Sequence, residues 1–192
     1  MTVKRVLNRR KNGAYHEAGH AVIARVLTLA AGKATIKRDF AGGCAGFSIV
    51  ADPYACICEW GKRGKVRQSD VAVWYARIIT YMAGAETEAV LLGMNAIGDG
   101  DDRLQIGRMA EELACGFDEF WNRIEVRLRA MTRMLIRRHR DRIERVAKAL
   151  LKETTLTGRR LDKLVGRSVN DVKVNAPFLK MMHQQQMAAR KS

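Results

Sequence analysis

Apolar positions recur at helical spacing early in the chain. Ala18, Val22, Ile23, Val26 and Leu27 fall on one face and predict an amphipathic helix over residues 14–31. Gly19 lies inside it, where glycine costs about 1 kcal/mol against alanine. Close approach of another backbone would account for it. The period then changes: "KATIKRDFAGGCAGFSIVADP" alternates apolar and polar residues on both sides of "AGG". That predicts a hairpin, with Ile36, Phe47 and Ile49 on inward faces and Pro53 closing the second strand.

A polar, basic loop, "EWGKRGKVRQSD", follows and ends in Ser69-Asp70, suited to cap the next helix. "VAVWYARIITYMAGAETEAVLLG" predicts a long apolar helix ended by Gly93. After the acidic loop "GDGDDR" comes a helix from Leu104 to Cys115, then a helical pattern from Glu119 to Lys152. Its inner stripe is Trp121, Ile124, Leu128, Met131, Leu135, Ile143, Val146 and Leu150, and its outer face is rich in arginine. "TTLTGRRLDKLVG" adds a short capped helix, and residues 168–192 read as a loosely ordered tail. The class is mainly α (α+β), with one small β element.

With 192 residues, 47% of them hydrophobic, the chain suits one domain with a real core. The formal charge of +15 changes the picture of its surface. Such an excess favours acidic partners, nucleic acid or an acidic protein among them, although a solvated basic surface is the ordinary reading. Cys44, Cys56, Cys58 and Cys115 are too few for a disulfide scaffold and too irregular for a zinc ribbon. Read as reduced thiols, they point to the cytoplasm. Arg25 interrupts the apolar run behind the basic N-terminus, against a signal peptide. No stretch approaches the ~20 apolar residues of a membrane span. "GKRGK" lacks the spacing of a nucleotide-binding P-loop.

The helix at 14–31 also carries chemistry, because "HEAGH" at 16–20 matches H-E-x-x-H. Residues four apart share a helical face, so the imidazoles of His16 and His20 can reach a single Zn²⁺. Glu17 is displaced by about 100° around the helix, beside the ion rather than on it. There it suits a general base acting on water made acidic by the metal. A catalytic zinc needs a third protein ligand and an open position. His139 lies in the arginine-rich helix and His183 in the tail, so the acidic cluster Asp99, Asp101 and Asp102 is the better donor.

Taken in order, these segments resemble the FtsH-type zinc metallopeptidase family, the proteolytic part of membrane-bound AAA proteases. "AYHEAGHAVIA" is similar to its zinc helix, and "KATIKR" with "AGFSIV" to the strand pair beside its cleft. "YMAGAETEAVLLG" resembles its G-G-x-x-A-E-x-x-x-x-G segment, with Gly84, Glu88 and Gly93 in place. "IGDGDDRLQ" stands where the family has T-G-A-x-N-D, and "RIERVAKALLKETTLTGRRLDKLV" resembles its C-terminal helices.

The resemblance covers residues 14–166 and implies a helical zinc-peptidase domain with a small hairpin beside the H-E-x-x-H helix. It implies His16, His20 and Asp102 as zinc ligands and Glu17 as the catalytic base. Asp99 and Asp101 stand where the family favours Ala and Asn. The organisation expected is a basic arm over 1–13, the peptidase domain over 14–167 and a tail over 168–192. These 192 residues hold neither the family's AAA module nor its transmembrane part. The function expected is ATP-independent, zinc-dependent cleavage of unfolded or exposed protein segments. The alternative is a catalytically weak relative that serves as a basic binding module for nucleic acid or an acidic protein.

Overall fold

The computed structural model describes residues 3–27, 29, 31–37, 46–50, 70–94, 100–114 and 118–166. Helix α1 spans Val3–Val26, so the basic stretch expected as a separate arm continues directly into the H-E-x-x-H helix. Its second half is buried on all sides: Ala14, Ala18, Ala21, Val22, Ile23 and Ala24 have no exposure. The alanines leave room for neighbouring elements to lie close, and the branched residues fill the space between them.

Strands β1 (Ala31–Thr35) and β2 (Phe47–Val50) pair antiparallel, as the alternating pattern predicts. A third strand, β3 (Thr155–Thr157), adds antiparallel to the other side of β1, giving the order β2-β1-β3. Sequence periodicity did not reveal β3, because three residues are too short to show alternation. Cross-strand pairing of Thr35 Oγ1 with Thr155 Oγ1 at 2.7 Å and burial of Leu156 hold it in place.

Helix α2 (Asp70–Leu92) ends at Gly93, whose φ of +65° is a conformation that glycine adopts without strain. Helix α3 (Gly100–Ala114) starts earlier than expected and takes Asp101 and Asp102 into its first turn, where carboxylates oppose the helix dipole. The single helix expected from Glu119 to Lys152 is two, α4 (Asp118–Arg138) and α5 (Arg140–Glu153). They part at His139, whose φ of −106° and ψ of 20° leave the helical region. Helix α6 (Gly158–Val165) follows β3 and is capped by the Thr157 hydroxyl, which accepts from Arg160 N–H.

Helices α2, α5 and α6 and the sheet all pack around α1. Gly19 explains itself at the α1–α2 crossing. A Cβ there would meet the Ala83 carbonyl oxygen at 2.6 Å and the Thr87 side chain. Buried Glu86 ties α2 to α4 through Arg133 Nε (2.6 Å) and Arg129 Nη1 (3.1 Å). Arg25 ties α1 to α6 through Asp162 (3.1 Å) and the Gly158 carbonyl (2.8 Å). Among the described residues, no helix is long and apolar enough to cross a membrane.

Candidate metal centre

Two helices bring the candidate ligands together. Helix α1 supplies His16 and His20, stacked one turn apart with ring centroids 4.7 Å from each other and edge to face. Helix α3 supplies Asp102 from its first turn. Its Oδ2 lies 3.1 Å from the Nε2 of each histidine. The ligand atoms of the three residues all lie within 4.8 Å of one another. Donors placed about 2 Å from a tetrahedral ion stand about 3.3 Å apart, close to the two histidine–aspartate spacings.

The outer nitrogens of the rings are also engaged. His20 Nδ1 lies 2.7 Å from the Thr80 carbonyl oxygen, and His16 Nδ1 lies 2.7 Å from Glu88 Oε1. Carbonyl and carboxylate oxygens only accept, so both Nδ1 atoms donate, and each ring in its neutral form carries its lone pair at Nε2. Carboxylate or carbonyl support of this kind is how metal-binding histidines are commonly oriented. The Nε2 atoms of both rings and one carboxylate oxygen thus face one another, a group that could hold a metal ion. Gly84 of α2 keeps the space beside them open, since a Cβ there would abut both Nε2 atoms.

Protonation follows the same logic. Burial works against a charged His16, but hydrogen bonds to Asp102 and Glu88 and the nearby Glu17 outweigh it. The imidazole is pushed up to about 10. For Asp102, burial is likewise outweighed, by the His20 charge and by hydrogen bonds from His16 and His20, and its carboxyl is held well below the usual carboxylate range.

Glu17 is buried beside the cluster and is not part of the ligand group. Burial raises its carboxyl above the ordinary value, against the opposing effects of His20, His16 and a hydrogen bond from Ser48. Ser48 Oγ, on β2, lies 2.8 Å from Glu17 Oε2 and 3.2 Å from the Glu17 main-chain oxygen. At the start of β2, Gly46 permits close approach: a Cβ there would meet Thr35 O at 2.8 Å and Glu17 Oε1 at 3.0 Å.

The structure thus brings His16, His20 and Asp102 together with Glu17 alongside. Asp101 is exposed and outside the group, and Asp99 falls outside the described residues. His139 is buried at the α4–α5 break with Arg142 Nη1 3.3 Å from its Nδ1, and takes no part. His183 and the four cysteines also fall outside the described residues. Ser48 and the Thr80 carbonyl were not legible from the sequence, because neither has a spacing relation to H-E-x-x-H. Compared with known proteins, the chain matches no protein-family model and no curated protein.

Proposed function

We propose that this protein is a zinc-dependent endopeptidase of the FtsH type, with His16, His20 and Asp102 as metal ligands and Glu17 as the catalytic base. The observation that supports it most is the convergence of two Nε2 atoms and the Asp102 carboxylate beside a buried glutamate outside that group. A purely structural zinc site would have four protein ligands and no use for that glutamate.

Zinc bound there would supply Lewis acidity toward a substrate carbonyl and toward water. The chain's own residues do the remainder. Glu88 and the Thr80 carbonyl fix the tautomer and ring orientation of the two histidines. Glu17 takes a proton from the attacking water and hands it to the leaving amide nitrogen. A carboxyl raised by burial is better suited to that two-way transfer than one at its ordinary value.

Strand β2 is an edge of the described sheet, and an extended peptide segment can add to such an edge through main-chain hydrogen bonds. That favours unfolded or exposed protein segments as substrates. No P-loop motif occurs in these residues, and the proposed hydrolysis has no step that consumes ATP.

Metal analysis and hydrolysis of an unfolded protein such as casein test the proposal together. The wild-type chain retains about one zinc and cleaves. His16→Ala and His20→Ala lose both properties. Full zinc retention in both histidine variants contradicts the site, and ATP-stimulated cleavage contradicts the mechanism.

A further inference from the structure

The edge strand touches the candidate base through one side chain. Ser48 sits opposite Ala34 in the β1–β2 register. Its hydroxyl has one proton and two acceptors, Glu17 Oε2 at 2.8 Å and Glu17 O at 3.2 Å. Whichever way that proton points, it binds the same residue. The shorter contact fixes one oxygen of the carboxylate, Oε2, while Oε1 lies on the side of Gly46, 3.0 Å from where a Cβ on that glycine would stand.

A buried glutamate with no such tether would have several rotamers open to it. Each would place the carboxylate differently with respect to His16, His20 and Asp102. Serving as base demands a fixed placement, since a proton is transferred only within hydrogen-bond reach.

We infer that Ser48 is a positioning residue that locks the Glu17 carboxylate through Oε2 and reserves Oε1 for proton transfer. The inference rests on the peptidase reading for its functional consequence, and on the hydrogen-bond geometry alone for the tether. Among the described residues, Ser48 hydrogen-bonds to Glu17 and to none of His16, His20 and Asp102, so the tether acts on the base rather than on the metal group. It also lies on the strand to which an extended peptide would add. The element that receives the substrate is therefore the one that orients the base.

Two measurements on the full chain test this. In the zinc-loaded protein, Ser48→Ala keeps its zinc and its KM for an unfolded peptide, while kcat falls by about 10-fold or more. Ser48→Thr, which keeps the hydroxyl, recovers most of kcat. A residue that merely tied β2 to α1 would change stability or KM instead, and the kcat loss would not follow the hydroxyl.

The second measurement needs no catalysis. A double-mutant cycle with Ser48→Ala and Glu17→Ala, read by unfolding of the metal-free chain, gives a coupling of about fivefold in the unfolding constant. Additive effects in that cycle, or full kcat in Ser48→Ala, overturn the inference. A wild-type protein that holds zinc and cleaves nothing defeats the peptidase reading, and the cycle still decides whether Ser48 tethers Glu17.

Discussion

At the scale of single residues, the site depends as much on what is missing as on what is present. Gly84 has no side chain where the two histidine Nε2 atoms converge, and Gly19 has none where α1 crosses the Ala83 carbonyl. Gly84→Ala is expected to sharply lower zinc content, because the new Cβ occupies the space between the imidazoles. Gly19→Ala is expected to destabilise the fold by about 1–3 kcal/mol through overpacking. Gly107 in α3 faces open space and is the control: Gly107→Ala should stabilise by roughly 0.5–1 kcal/mol. Denaturant unfolding and metal analysis of the three variants check this, and equal behaviour at all three glycines would contradict it.

The histidines add a pH dependence of definite sign. In the ion-free protein the His16 pKa is raised above its unfolded value of about 6.5. That contribution to stability is complete below about pH 6.5 and is lost as pH rises toward about 10. Zinc needs neutral imidazoles, so the zinc-loaded form loses metal as pH falls. The melting temperature of ion-free protein should therefore drop between pH 6.5 and 10, while the increment added by zinc grows. A melting temperature that rises over that range without metal would contradict the assignment.

At the scale of elements, the order of helices and the hairpin were legible because long apolar stripes carry their own period. Gly93 closed α2 for a reason visible in its residue type. The start of α3 was not legible in the same way, since "GDGDDR" reads as a loop by composition. Asp101 and Asp102 are held in the first turn by the helix dipole, and that turn aims Asp102 at the histidines while leaving Asp101 exposed. Asp102→Asn should accordingly strip the zinc, whereas Asp101→Asn should leave zinc content unchanged. Metal loss in the Asp101 variant alone would reverse the assignment.

The break at His139 escaped notice because His, Arg and Asp are all tolerated in helices and the apolar stripe runs on past it. Strand β3 escaped because it forms only by pairing with β1, a contact far away in sequence. The candidate ligands His16 and His20 were legible from H-E-x-x-H spacing. Asp102 as the third candidate came from resemblance, and the groups that orient the rings came from tertiary packing.

At the scale of the whole molecule, the +15 charge is only partly free to attract partners. Arg129 and Arg133 are committed to buried Glu86, and Arg140 is paired with Glu144. Removing Arg129 and Arg133 together should destabilise the chain by about 1–3 kcal/mol, because Glu86 would remain buried without partners. Arg137, Arg138, Arg145, Lys148 and Lys152 remain exposed on α4 and α5. The alternative of a basic binding module predicts nucleic-acid binding that weakens steeply with salt. It also predicts that binding is reduced by charge reversal at Arg137 and Arg138. Absence of binding at low salt removes the nucleic-acid form of that alternative.

The peptidase account stands or falls on Glu17 as a base that does not hold the metal. Zinc content and casein hydrolysis measured side by side in the wild type and in Glu17→Gln test this most directly. The account predicts about one zinc per chain in both proteins and cleavage by the wild type alone. A Glu17→Gln chain that loses its zinc, or that cleaves as fast as the wild type, would contradict it.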